Sequence, residues 1–307
     1  MLLNTKEKFR KTFLSTLIVS SLSIPTLAVA ADITLNPIDK TQETGEPVGY
    51  EPTDKNTVIT NDVKIDITAD ENKHGKTRPK GIIVRGDKTL DIQGKTNVDV
   101  TFVNLASADT NAAYGIAVGY DWRGGAPADT AKLTLHDDAE INVDNGPGTR
   151  PLFGHQLSGV RVFQKNGAVP IFNSKKKLTI NVEDKTTAKN GSYLVGIYIN
   201  GNGAEANLKD SEITIKANGT SSAAIKIGKP GDNKPADYKG AVVNSTGKMV
   251  LDTTATKDSA AVRLFGTKSR LIADSDTSSG EIKSGSSAIV FDTMDLLLRG
   301  EEYREQN

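Results

Sequence analysis

Apolar and polar residues alternate in short segments along most of this chain. Val63-Lys64-Ile65-Asp66-Ile67 and Leu178-Thr179-Ile180-Asn181-Val182 are two examples, and similar segments recur from Thr57 onward. A period of two places one row of side chains in an apolar interior and the other row in water, which is typical of β-strands. The segments between the strands lack an apolar stripe of period 3.6, so helices packed on a sheet are not predicted.

A second kind of strand repeats a phrase: a small residue, an aliphatic residue, any residue, and another aliphatic residue. The phrase begins at Gly81, Gly115, Gly159, Gly196, Ala224, Ala261 and Ala288. Successive copies start 27 to 44 residues apart, and repeats of this length indicate stacked units. We therefore predict an all-β solenoid, a parallel β-helix with irregular coil insertions, in which equivalent phrases stack about 4.8 Å apart. An antiparallel sandwich is the alternative that also uses alternating strands.

The small residue of each phrase and the unequal spacing have a common interpretation. The small residue is predicted where the chain bends into a new face or where the interior leaves no room for a side chain. The insertions are expected at three clusters rich in Gly, Pro, Asp and Asn, within residues 121–127, 144–151 and 228–240. Such clusters form loops because Gly adopts positive φ and Pro lacks an amide donor.

The first 30 residues are predicted to be a signal peptide. A basic segment, Lys6 to Lys11, precedes the apolar run Phe13 to Ile24, which is too short to span about 30 Å of hydrocarbon as a helix. Ala28 and Ala30 provide the small residues that signal peptidase requires, with cleavage before Ala31. No second apolar run follows, so no transmembrane helix is predicted in the mature chain.

The remaining residues divide into three parts. Residues 31–56 are polar and contain three prolines, so they are predicted to form an N-terminal cap or a loose segment. Residues 57–291 form the predicted β-helix. In residues 292–307, Met294 to Leu298 lack strand alternation and the rest is polar and charged, which leaves two interpretations: a polar tail that forms a short helical cap, or the end of a truncated reading frame.

Composition excludes several classes of protein. The chain has no cysteine and only 5% aromatic residues, so a disulfide scaffold, a thiolate metal site and a deep aromatic core are excluded. The whole chain has a net charge of zero, and the first 30 residues carry +3, which leaves about −3 for the rest. A slightly acidic chain without a basic segment is not typical of nucleic-acid binding.

A signal peptide followed by irregular repeats of Gly-Ile-x-Val, Leu-Thr-Ile and Asn/Asp-Gly turns resembles the passenger region of Gram-negative autotransporters of the pertactin type. The resemblance covers about residues 57–291. It implies a right-handed parallel β-helix that crosses the periplasm after Sec export and is displayed at the cell surface or released. Members of that family commonly serve as adhesins, and some carry protease or esterase domains.

The chain departs from that family in one respect. The family's passengers are followed by an outer-membrane β-barrel, and no series of alternating ten-residue strands precedes Asn307. The sequence is consistent with a truncated passenger, with a barrel encoded separately, or with a released protein. Export is therefore predicted, and anchoring at the surface is left open.

Arg85-Gly86-Asp87 is the first candidate binding site. The tripeptide directly follows the strand Ile82-Ile83-Val84, and such a turn can present a cation and a carboxylate to an integrin. A Gly-Asp turn after a strand is also ordinary loop chemistry, so the plain turn is the alternative.

The second candidate binding site consists of aromatic residues. Trp122 lies in a glycine-rich insertion, where it could stack on a sugar or enter a partner's pocket. Tyr114, Tyr120 and Tyr198 are the other aromatic residues that stand out in so aromatic-poor a chain. Covering the coil beneath is the alternative role.

No catalytic motif or cofactor site is predicted. The chain lacks a Gly-x-Ser-x-Gly elbow, and nothing marks His74, His136 or His155 as a base. His136-Asp137-Asp138 with Glu140 is the best acidic cluster for glycan cleavage, and a solvated turn is its alternative. Residues 70–81 begin like a calcium loop but lack its final Glu, so no metal site is predicted.

The sequence thus predicts an exported β-helical passenger that acts as an adhesin. Its expected partners are protein or glycan ligands on host or neighbouring cells, and nucleic acid is not among them. The alternatives are a secreted polysaccharide-active enzyme, a lyase or a hydrolase, and a stalk segment without a ligand of its own.

Overall fold

The computed structural model describes residues 31–40, 47–70, 79–103, 112–119, 130–145, 156–164, 169–185, 193–216, 222–228, 239–256, 259–266, 268–274 and 278–292. These residues form β-strands and their connections, with no helix among them. The predicted signal peptide, including Ala28 and Ala30, lies outside the described residues, and Ala31 opens the first strand.

The strands follow a three-part repeat, which we number in chain order. They are β1 (Ala31–Ile33), β2 (Ile38–Lys40) and β3 (Val48–Tyr50); β4 (Asn56–Ile59), β5 (Val63–Asp70) and β6 (Lys80–Val84); β7 (Thr89–Ile92), β8 (Thr96–Val103) and β9 (Ala112–Gly119); β10 (Lys132–Leu135), β11 (Ala139–Asn145) and β12 (Gln156–Phe163); β13 (Ile171–Asp184) and β14 (Tyr193–Asn200); β15 (Glu205–Lys216) and β16 (Ala223–Ile227); β17 (Val242–Ser245), β18 (Lys248–Thr253) and β19 (Ala260–Phe265); and β20 (Arg270–Ala273), β21 (Ser279–Ser284) and β22 (Ser287–Asp292).

Every pairing between these strands is parallel and joins equivalent strands of successive repeats. The fold is therefore a parallel β-helix, as predicted, and the antiparallel sandwich is excluded. One strand of each coil belongs to an eight-stranded sheet, β3-β6-β9-β12-β14-β16-β19-β22, which we call the third face. The described residues thus form eight coils.

The other fourteen strands make one sheet that bends along its length. We call its two parts the first face (β1, β4, β7, β10, β17, β20 and the starts of β13 and β15) and the second face (β2, β5, β8, β11, β18, β21 and the ends of β13 and β15). In β13 the register shifts between Ser174 and Lys177, where the strand passes from one face to the other. The alternating strands that look alike in the sequence therefore belong to two different faces of each coil.

The core consists of ladders of aliphatic side chains from all three faces. On the second face, Ile65, Val98, Ile141, Ile180 and Ile213 stack in register and are fully buried. The burial pattern of β8 alternates perfectly between buried and half-buried residues, as its sequence predicts. Each buried aliphatic side chain of this kind contributes about 1.5–3 kcal/mol.

The glycines that open four copies of the phrase stack in the interior, where an added Cβ would clash. A Cβ added to Gly159 would lie 2.8 Å from the carbonyl oxygen of Gly196 on the next coil and would overlap Ile180 Cγ2. The crowding that the sequence predicted at this position is therefore present. Glycine is required at this position because an added Cβ would clash with its neighbours, not because the backbone adopts a positive φ.

Residues 31–56, predicted as a cap or a loose segment, contain the first coil. Strands β1, β2 and β3 pair with β4, β5 and β6. Of the predicted insertions at residues 121–127, 144–151 and 228–240, the first lies wholly outside the described residues, and so do residues 146–151 and 229–238 of the other two.

Candidate functional site

The third residue of the repeated phrase points out of the solenoid on the third face. The two aliphatic residues beside it, such as Val160 and Val162, point into the core and are fully buried. The outward residues stack in register from coil to coil, in the order Ile83, Ala117, Arg161, Tyr198, Lys226, Arg263 and Val290. We call this series the outer row.

Arg161 lies among three aromatic rings. Its guanidinium carbon is 4.9 Å from the ring centre of Tyr114, 5.1 Å from that of Phe163 and 5.3 Å from that of Tyr198. Its Nη1 donates a hydrogen bond to the Tyr114 hydroxyl. Its Nε is buried without a hydrogen-bond acceptor, so one donor of this cation is left unsatisfied.

Lys226 lies two coils further along the same row. Its Nζ is 4.9 Å from the ring centre of Tyr198 and 5.3 Å from that of Phe265. Burial first, and then the neighbouring cations Arg263 and Arg161, together lower the pKa of Lys226 to about 8. The ammonium group is therefore held in a partly dry and positively charged environment.

Acidic residues are unevenly distributed between the faces of the solenoid. The six third-face strands from β6 to β19 contain Lys80, Arg161, Lys226 and Arg263 and no Asp or Glu. Each second-face segment from β5 to β21 contains at least one Asp or Glu. Arg161, Lys226 and Arg263 therefore make the outer row basic, although residues 31–307 as a whole are slightly acidic.

This arrangement fits an anion. Guanidinium groups bind carboxylate, sulfate or phosphate oxygens through paired N–H groups, and flanking rings hold the guanidinium plane in place. The row does not suit a metal ion, which it would repel. Among the described residues no group of three or more His, Asp or Glu could hold one.

Arg85-Gly86-Asp87 forms a turn after β6 whose charged groups both have partners within the chain. Arg85 donates two hydrogen bonds to the Glu51 carboxylate, 2.7 Å and 3.0 Å long, and Asp87 lies 2.9 Å from Lys55 Nζ. Gly86 has φ of +70°, and Asp87 is exposed. The turn thereby binds the preceding coil, and its role toward a partner stays a prediction.

Two of the aromatic residues that stand out in the sequence lie in this site. Tyr114 and Tyr198 both contact Arg161, whereas Tyr120 and Trp122 lie outside the described residues. His74 and His155 lie outside them as well.

The acidic cluster at His136 forms a turn between the first and second faces. Asp137 accepts a hydrogen bond from Lys176 Nζ at 3.0 Å, which lowers the pKa of Asp137. Asp138 accepts one from the backbone amide of Lys177 at 3.2 Å. Asp138 and Glu140 line a groove of about 480 Å³ that also contains lysines: Lys64, Lys95 and Lys177. The carboxylates near this turn therefore serve mainly to bind neighbouring coils.

Arg161, Lys226 and Arg263 were not predicted as site residues. A signal for them is present in the sequence, because all three occupy the freely variable position of the repeated phrase. Stacking the phrases in register would have aligned them as one basic row.

No family profile, curated protein or solved structure matches this chain. Within the described ranges, no helix is long and apolar enough to cross a membrane.

Proposed function

We propose that this chain is an exported β-helical binding protein whose outer row holds an acidic glycan of a host or neighbouring cell. The observation that carries the proposal is the stacking of Lys226 on Arg263, with Arg161 on the same row and no acidic residue in the strands beside them. Resemblance to pertactin-type passengers supports export and display.

A cation held in a partly dry and positively charged environment has a cost in stability that a plain scaffold would avoid. The lowered pKa of Lys226 corresponds to about 3 kcal/mol against its charged form, at 1.36 kcal/mol for each pKa unit. An anionic ligand offsets part of that penalty when it binds, because its charge opposes the repulsion between the cations. A repeating polymer suits the site because the row repeats along the axis with each coil, about 4.8 Å apart.

Binding to immobilised heparin and polygalacturonate, with neutral dextran as the reference, tests this proposal. A double variant, Lys226→Met with Arg263→Gln, is expected to bind at least about tenfold more weakly, because two partly desolvated cations are removed. The matched control is Lys64→Met with Lys177→Gln, which removes two cations from the second face. Equal retention of both double variants would contradict the proposal, provided that circular dichroism shows both to be folded.

A polysaccharide lyase is the second candidate, and the lowered pKa of Lys226 favours it. Near pH 8 the neutral amine could take the proton beside a uronate carboxylate, which an arginine would neutralise. The electron pair would form a carbon–carbon double bond as the glycosidic C–O bond breaks and its oxygen takes up a proton. Appearance of the ultraviolet absorbance of the unsaturated product would favour this candidate. Binding without that absorbance would favour the adhesin.

A further inference from the structure

A line of alternating charges follows the corner where the chain passes from the first face to the second face. In each coil from the second to the seventh, the residue at this corner is charged, and carboxylates alternate with ammonium groups along the whole line. The pairing of the neighbouring strand residues places these corners in register. We call the line the corner ladder: Asp62, Lys95, Asp138, Lys177, Asp210 and Lys248.

The carboxylates of the corner ladder bind the following coil through its backbone. Each accepts a hydrogen bond from the backbone amide of the next lysine in the ladder, at 2.8 Å, 3.2 Å and 2.8 Å in chain order. These bonds account for an acidic residue on every second coil. They do not account for the lysines, because any residue except proline provides the same backbone amide.

The ammonium groups of the ladder extend into water. All the residues of the ladder are exposed except Asp210, which is half-buried. Within the described ranges, Nζ of Lys95 and Nζ of Lys248 make no hydrogen bond or ion pair, and Nζ of Lys177 lies 2.8 Å from Glu212, outside the ladder. The ladder therefore presents charges that the contacts between coils do not use.

The order of these charges is self-complementary when it is reversed. A two-fold axis perpendicular to the solenoid, level with the midpoint between the fourth and fifth coils, places every charge of one copy against an opposite charge of the other. Each contact then occurs twice, as in any isologous interface. The three kinds of contact are Asp62 with Lys248, Lys95 with Asp210, and Asp138 with Lys177.

We propose that two copies of this chain associate in antiparallel orientation along the corner ladder. The parallel two-fold arrangement would place each ladder residue against its own copy, so that like charges would meet. The flanking residues also suit the antiparallel arrangement, because Asp137 on the fourth coil then faces Lys176 on the fifth. At the two ends of the ladder, the equivalent residues of the first and eighth coils are uncharged: Leu35 and Ser279.

The shape of this corner determines how strong the association is. A groove of about 480 Å³ runs beside the ladder from the second to the fifth coil, and side chains of the other copy can enter it. The contact is narrow, and its ion pairs are exposed to water, where each one is weak. The dimer is therefore expected to be weak and sensitive to salt, which screens exposed charges.

Sedimentation of the full chain over a concentration series, at about 50 mM and about 500 mM salt, tests the dimer. We expect dimers at the lower salt concentration. Lys248→Asp and Asp62→Lys each place like charges together twice in a homodimer, so each should raise the dissociation constant at least about tenfold. An equimolar mixture of the two variants should restore the dimer, because opposite charges then meet at all six contacts. Lys216→Asp changes the charge equally at an exposed position away from the ladder and should leave the dissociation constant unchanged.

Three results would overturn the proposal: a chain that stays monomeric at low salt, a dimer that neither variant weakens, and a mixture that dissociates as readily as each variant alone. Circular dichroism establishes that the variants are folded. If Asp62→Lys does not fold, because it removes the acceptor of the Lys95 amide, Lys95→Asp takes its place. That variant keeps every carboxylate of the ladder, and an unchanged dissociation constant for it would also contradict the antiparallel contact.

Discussion

Lys226 and Arg263 occupy equivalent positions on adjacent coils of the third face, so two cations lie side by side on the outer row. Thirty-seven residues separate them in the sequence. Their proximity is a product of the fold, and it determines how the stability of this protein should respond to mutation and to pH.

Lys226→Met is expected to stabilise the protein by about 1–3 kcal/mol at pH 7. Methionine keeps the contact with the Tyr198 and Phe265 rings and removes a charge whose pKa is lowered to about 8 by burial and by neighbouring cations. Chemical denaturation monitored by circular dichroism measures the difference. Lys64→Met, at an exposed position on the second face, is the control and should change stability little.

The pH dependence of that difference follows from the direction of the shift. The folded state releases the Lys226 proton near pH 8, whereas the unfolded chain retains it until about pH 10.4. The unfolded state therefore binds more protons in this window, and the unmodified protein gains stability as the pH rises through it. The advantage of Lys226→Met should shrink between these two pH values. An advantage that is constant with pH would show that packing is its cause.

Asp66→Asn and Asp252→Asn form a matched pair with opposite expected effects. Both residues lie on one outward row of the second face. Burial, and then Asp99 and Asp39, raise the pKa of Asp66, whereas hydrogen bonds from the Thr254 side chain and backbone lower the pKa of Asp252. At pH 7 Asp66→Asn should raise Tm and Asp252→Asn should lower it.

Acid should remove both effects. The destabilisation by Asp66 is absent below its unfolded pKa and reaches its full size above its raised folded pKa, and the stabilisation from Asp252 is lost as the pH falls through its own folded pKa. Thermal melts at pH 7 and near pH 3 measure both trends. Tm changes of the same sign for the two variants at pH 7 would refute this account of the row.

Gly159→Ala is expected to destabilise the protein by about 1–3 kcal/mol through overpacking. The added methyl group would meet the carbonyl oxygen of Gly196 at 2.8 Å, a backbone atom that cannot move alone, and would overlap Ile180. The control is Gly86→Ala, where the space is open and φ is positive, so only a backbone penalty of about 1–2 kcal/mol applies. Urea titrations of both variants separate crowding from conformation.

The general fold could be predicted because its signals are local. Alternation in strands such as β8 and the returning phrase at Gly81, Gly115 and Gly159 each require only a few consecutive residues. The crowding at Gly159 was also predictable, since a small residue recurs where aliphatic residues flank it.

The cations of the outer row could not be predicted from local signals in this way. Coils differ in length, so the spacing between Arg161, Lys226 and Arg263 along the chain is irregular, and only an alignment of the repeated phrases brings the three cations into one row. The partners of Arg85 were hidden for the same reason, because Glu51 lies 34 residues away on another coil. Interactions between coils depend on register, which a single sequence specifies only indirectly.

The parallel register has an evolutionary consequence. Each coil presents equivalent positions to the coils before and after it, so the loss or duplication of one whole coil leaves every remaining pair aligned. Recombination between the genetic segments that encode coils can therefore lengthen or shorten the rod in steps of about 4.8 Å. A β-helix of this kind can change its length by gaining or losing coils. The side-chain contacts between the remaining coils are kept.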